Sequence, residues 1–120
     1  MRIAAGLALD FALIVLFAAI GRRNHAETGA FIDILRTAWP FLAGMATGWL
    51  ISLLIFRRPP LHLREGIAVW LSAVALGMVL RALTHEGTAI AFIIVATLFL
   101  GAALLGWRWA AAMLTSRRHA

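Results

Sequence analysis

The chain has no cysteine and no lysine among its 120 residues, and only five acidic residues against eleven arginines. Each shortage excludes something. Without cysteine there is no disulfide framework, no thiolate metal site and no thiol nucleophile. Without lysine every fixed positive side chain is a guanidinium; with the heavy use of alanine, this reads as the codon bias of a GC-rich bacterial genome. Charged residues are 13% of the chain and hydrophobic residues 63%, and the mean hydropathy is +0.94. That balance excludes a disordered or ordinary globular chain. The net charge of +6 does not signal nucleic acid as a partner. The arginines fall in breaks between apolar runs, and no basic stripe with interleaved aromatics lies outside those runs.

What is present is four apolar runs, approximately 3–20, 38–56, 66–83 and 88–107. Each is close to the ~20 residues a helix needs to cross a ~30 Å hydrocarbon layer at ~1.5 Å per residue. A soluble domain of this size could not bury so much apolar surface. The expected fold is all-α: a polytopic membrane protein, an antiparallel four-helix transmembrane bundle forming a single domain in a lipid bilayer. Arg2, an apolar core and the pair Ala18-Ala19 resemble a signal peptide. Asp10 interrupts that core, however, and the run is long enough to cross and stay, so a retained first helix is expected, with no soluble domain before or after the spans.

The breaks set the expected topology. Gly21-Arg22-Arg23-Asn24-His25 ends the first run. Residues 26–37 form the longest connection, and Phe31 to Arg36 in it is amphipathic, suited to lying at the interface or to extending the second helix. Trp39-Pro40 opens the second span, with proline expected in the first helical turn and tryptophan at the headgroup boundary. Pro59-Pro60 stops that span. The short turn Thr84-His85-Glu86-Gly87 predicts a tight hairpin of spans three and four. An even number of spans puts both termini on one side. That side would carry Arg2, Arg57, Arg58, Arg64, Arg108, Arg117 and Arg118, against Arg22, Arg23, Arg36 and Arg81 on the other. The bias points to cytoplasmic termini in a prokaryotic inner membrane.

Asp10 is the only acid well inside a span, ~10 Å past Ile3 at the helical rise. A carboxylate at such depth is costly and marks a functional site by default, as a charge switched by protonation or by a cationic substrate. The structural reading is a pair with an arginine from another helix, or a carboxyl kept protonated by burial. Gly6, Asp10, Ile14, Phe17 and Gly21 share one face, which the glycines suit to close packing. The expected partner of Asp10 is Arg108 in Gly106-Trp107-Arg108-Trp109, reaching along its stem; the other reading of Arg108 is an interfacial anchor to lipid phosphate.

Arg22, His25, Arg81, His85 and Glu86 gather on the opposite side. They would hold an anion or a lipid phosphate, or they are solvated helix ends. Arg81 and His85 share a face if the third helix continues that far. No histidine spacing suits zinc or haem, and no cofactor is expected. Gly44 and Gly48 form a GxxxG pair extended by Pro40 and Ser52, with Ala73/Gly77 and Thr97/Gly101 as counterparts. Such stripes support a compact bundle and would equally support a homo-oligomer. Met45, Trp49, Trp70 and Met78 read as core filling or lipid-facing bulk. Thr47, Ser52, Ser72 and Thr97 read as hydroxyls bonded to helix carbonyls.

Several strings resemble a small prokaryotic membrane family, the domain of unknown function 3054. They are Leu16 to Arg22 with His25, Thr37-Ala38-Trp39-Pro40-Phe41 with Gly48-Trp49, Gly77-Met78 with Arg81, and Gly106-Trp107-Arg108. The resemblance runs from Asp10 to Arg108. It implies a four-span membrane protein and supplies no activity.

Two function classes follow. One is a small-solute or ion transporter or channel with Asp10 as a switchable charge and Arg81 or Arg22 guiding the solute. The other is a non-transporting structural, assembly or lipid-binding subunit of a membrane complex. An enzyme is not expected, since no nucleophile–base pair or metal site assembles on one side.

Overall fold

A computed structural model describes residues 2–21 and 30–119. Four helices account for nearly all of them: α1 (Ile3–Gly21), α2 (Ala30–Leu54), α3 (Leu63–Leu83) and α4 (Ile90–His119). There is no strand among the described residues. All four helices are long and apolar enough to cross a membrane. A helix satisfies its own backbone, which is what an apolar segment in lipid requires.

The boundaries have local causes. α2 begins at Ala30, so the amphipathic stretch from Phe31 to Arg36 extends the helix outward. Pro40 is therefore inside α2 and not in its first turn as expected. Proline at that depth is tolerated where neighbouring helices surround it, and Pro40 is fully buried. Beyond α2 the backbone of Arg57 is left-handed, with φ 61°, and Pro59-Pro60 prevents the helix from resuming. α3 ends in a Schellman turn: His85 N–H donates to Ala82 O at 3.2 Å and Glu86 N–H to Arg81 O at 2.8 Å. His85, at φ 61°, takes the left-handed position that glycine usually fills. α4 runs on to His119, past the expected end near Trp107.

The contacts fix the topology. Gly6, near the start of α1, lies against Trp49 and Trp107, toward the ends of α2 and α4. Phe17, toward the end of α1, meets Phe41 and Phe92, nearer the starts of α2 and α4. The helices therefore alternate up and down. Each packs on its neighbours in sequence and α1 closes the ring on α4, while the Phe41 and Phe92 rings of α2 and α4 meet across the middle, 6.1 Å between centroids. The bundle measures 49 × 29 × 25 Å.

α2 and α3 approach most intimately. A Cβ on Gly44 would lie 2.6 Å from Ser72 O, and one on Gly48 2.8 Å from Val69 Cα. Neither leaves room for a side chain, so the GxxxG pair brings two backbones into contact. Ser72 Oγ donates to Gly44 O at 2.8 Å across the same seam. Gly77 makes room for the Phe41 ring and Gly101 for the Trp70 indole. Gly21 is different: it is exposed and meets nothing among the described residues, so the close-packing face of α1 stops at Ala18. The core is polar at one end and aromatic at the other. At the aromatic end Phe17 meets Phe41 edge-on at 5.4 Å, with Phe92 and Phe99 beside it.

Candidate functional site

At the polar end Asp10 is fully buried. Its Oδ1 accepts from Trp107 Nε1 at 2.8 Å and from Arg108 Nη1 at 3.0 Å. Its Oδ2 accepts from Trp49 Nε1 at 2.8 Å and from Arg108 Nη2 at 2.7 Å. The guanidinium thus grips the carboxylate with its two parallel N–H groups, the strongest geometry for this pair. Two indoles, which can only donate, fill the remaining acceptor positions of a carboxylate with about four lone-pair sites.

Arg108 is itself only 1% exposed. Its Nε donates to Pro60 O at 2.8 Å and its Nη1 also to Leu104 O at 2.8 Å. Its guanidinium carbon lies 4.4 Å from the centre of the Trp107 ring. α3 contributes by absence, since a Cβ at Gly66 would collide with Arg108 Cδ. The cluster therefore ties α1, α2, α4 and the α2–α3 connection to one ion pair, with α3 giving way to admit it. Burying two opposite charges carries a desolvation penalty that repays only when geometry is good and the other hydrogen-bonding positions are filled. Both conditions hold here.

The remaining candidates are dispersed. Arg81 lies at the other end, 6% exposed. Its Nε donates to Gly87 O at 2.9 Å and its guanidinium carbon is 4.2 Å from the centre of the Phe92 ring. His85 is exposed and beyond the end of α3, so its four-residue spacing from Arg81 does not put them on one helical face. Its structural part is played by its backbone, in the turn. Arg22 and His25 lie outside the described residues. Trp39 is 42% exposed, and Pro40, Gly44, Gly48, Gly77 and Gly101 are packing positions. Among the described residues no group of three His, Asp or Glu side chains is placed to hold a metal ion.

Several contributors to the Asp10 site are absent from the sequence-derived candidates, the Leu104 carbonyl that Arg108 uses among them. Trp49 is a donor to the carboxylate and not mere bulk. Trp107 is a second donor and not only an interfacial flank. Pro60 supplies a carbonyl and Gly66 supplies space. A signal for the indoles exists: a buried carboxylate needs donors, and Trp49 and Trp107 lie in the later parts of α2 and α4, which run antiparallel to α1 and so pass the first half of α1, where Asp10 lies. Of the hydroxyls, Thr47 and Thr97 bond Ala43 O and Ile93 O within their own helices, whereas Ser52 reaches Arg58 O in the connection and Ser72 crosses to α2.

Fold and site together define a four-span α-helical membrane protein held by an intramembrane ion pair. The chain belongs to the family described as "Protein of unknown function (DUF3054)", whose model matches residues 7–111. That match takes in all of the site, from Asp10 to Arg108. No curated protein matches the chain. No solved structure matches it either.

Proposed function

We propose that the protein is a non-transporting component of a prokaryotic cytoplasmic membrane, a structural, assembly or lipid-binding subunit whose Asp10–Arg108 pair holds the bundle. The observation that supports this reading is the full occupation of the Asp10 carboxylate, two N–H donors on each oxygen in a fully buried setting. A carboxylate that couples flux must be reached by a proton or a cationic solute. Here any such visitor has to displace an indole or a guanidinium. That favours the structural role over a small-solute or ion transporter switched at Asp10. No enzyme chemistry is proposed for the site, whose carboxylate is bonded by two indoles and a guanidinium. Both termini are assigned to the cytoplasm from the arginine bias; the end carrying the clasp also carries Arg57, Arg58 and Arg64. A second copy would have to dock on lipid-facing side chains, since Gly44 and Gly48 are used within the bundle.

The test is Asp10→Asn, reconstituted in proteoliposomes and unfolded in detergent. The expected result is no proton-linked flux with either protein and a clear loss of stability in the variant. Flux in the wild type that disappears in a variant of unchanged stability overturns the reading.

A further inference from the structure

A second polar cluster stands apart from the clasp, where the α2–α3 connection meets the first turn of α3. Arg58 Nε lies 2.8 Å from Glu65 Oε1, and the two side chains differ sharply in exposure, 53% against 6%. Glu65 Oε2 is buried and has no hydrogen-bond partner among the described residues. Such an atom forgoes its hydration with nothing in exchange, and each instance calls for an explanation. A cavity of about 570 Å³ opens at the same place, within the size range of small-ligand sites. Arg58, Arg64 and Glu65 line its polar side; Phe56, Ile67 and Leu71 line the apolar side.

The cluster's position in the bundle decides what kind of molecule fits. α3 starts at Leu63, so Arg64 and Glu65 stand at the mouth of a membrane span, at headgroup depth. Ile67 and Leu71 are four residues apart on one face of α3, both substantially exposed, and lead from that mouth into the hydrocarbon. An occupant therefore needs phosphate for the guanidinium groups, a cationic donor for the buried carboxylate oxygen, and an alkyl chain for the Ile67–Leu71 wall. We propose that this groove binds a phospholipid with an ammonium-bearing headgroup. Its phosphate engages Arg58 and Arg64, its ammonium donates to Glu65 Oε2, and an acyl chain lies along Ile67 and Leu71. Arginine and phosphate make charge-assisted bonds whatever the headgroup, so the arginines alone admit any phospholipid. Glu65 supplies the selection, because an ammonium gives its oxygen a charge-assisted donor where a glycerol hydroxyl gives a neutral one. The proposal does not depend on the role assigned to Asp10.

The experiment is lipid retention by the full-length protein, purified from mixed micelles containing equal phosphatidylethanolamine and phosphatidylglycerol and read by native mass spectrometry. Wild type is expected to keep the ethanolamine lipid in preference by about tenfold, which corresponds to ~1.4 kcal/mol. Glu65→Gln should bring the ratio close to one. Arg64→Ala should lower retention of both lipids several-fold without changing the ratio. Equal retention or a glycerol preference in wild type overturns the proposal, as does a preference that survives Glu65→Gln or retention indifferent to Arg64→Ala. Should Glu65→Gln fail to fold, the wild-type ratio and the Arg64→Ala result still decide it.

Discussion

Among the described residues the bundle buries one guanidinium near each end, and the two are used differently. Arg108 closes on a carboxylate 98 residues away in sequence and on a carbonyl 48 residues away. Arg81 donates to a carbonyl only six residues on and covers the ring of Phe92. The first fastens helices that are remote in the chain; the second fastens the hairpin turn between α3 and α4. Packing differs in the same sense. The aromatic end is built from rings that interlock by shape, while the polar end would have no cohesion if its charges were not matched. In lipid, where the hydrophobic drive between helices is missing, α1 depends on both devices to stay attached.

The most severe test of that contrast removes one member of the clasp. Asp10→Ala or Arg108→Ala leaves an unpaired charge in the core, and breaking a buried pair costs about 3–5 kcal/mol. Unfolding in mixed detergent micelles should show that loss for each single variant. The double variant should lose less than the sum by about 0.5–3 kcal/mol, the range for directly coupled groups. Strict additivity would mean that the two residues do not act as a unit. Gly66→Ala comes next: the new methyl would meet a side chain that several hydrogen bonds already hold in place, at a cost of about 1–3 kcal/mol for overpacking. A neutral Gly66→Ala would show that Arg108 can move aside, contrary to a rigid clasp.

Much of this arrangement can be read from the chain, and what cannot has a physical cause. Four apolar runs separated by arginines, Pro59-Pro60 and a short polar turn imply four helices, because in lipid no other backbone solution exists for single runs of that length. Asp10 and Arg108 are legible as partners since a lone buried charge demands an opposite one, and the topology leaves Arg108 as the arginine in reach. The indole donors are less legible. Tryptophan fits a membrane interface as readily as a hydrogen-bond network, and only three-dimensional placement separates the two uses of Trp49 and Trp39. Pro60 and Gly66 act through a carbonyl and through empty space, and neither leaves a side-chain signature. His85 is legible only in part for a related reason: histidine suggests ligand chemistry, and its left-handed place in the turn leaves no side-chain signature.

Trp49→Phe probes the clasp more gently, keeping the ring and deleting one donor to Asp10 Oδ2. Hydrogen bonds to charged groups are worth about 1.5–3 kcal/mol in water-soluble proteins, but polar bonds between membrane helices average about 0.6 and reach about 1.7 kcal/mol. The membrane figure is the relevant one and its upper part applies, since the acceptor is ionic, so a loss of about 1–1.7 kcal/mol is expected in the same unfolding assay. Trp107→Phe should cost less, because Trp107 is only partly buried and the smaller ring forfeits fewer packing contacts there. Equal effects would argue that the two indoles share the carboxylate symmetrically.

The smallest effect is expected at the other end and in the opposite direction. His85 holds φ 61° in a turn that needs a left-handed residue. A side chain costs roughly 1–2 kcal/mol in that conformation, against the extra freedom that glycine brings to the unfolded chain. The first effect outweighs the second by a narrow margin, so His85→Gly should stabilise the protein by up to about 1 kcal/mol. The residue is exposed, so little packing is lost to obscure the result. A marked destabilisation would show that the imidazole makes an interaction of its own, and would restore His85 as a candidate ligand beside Arg81.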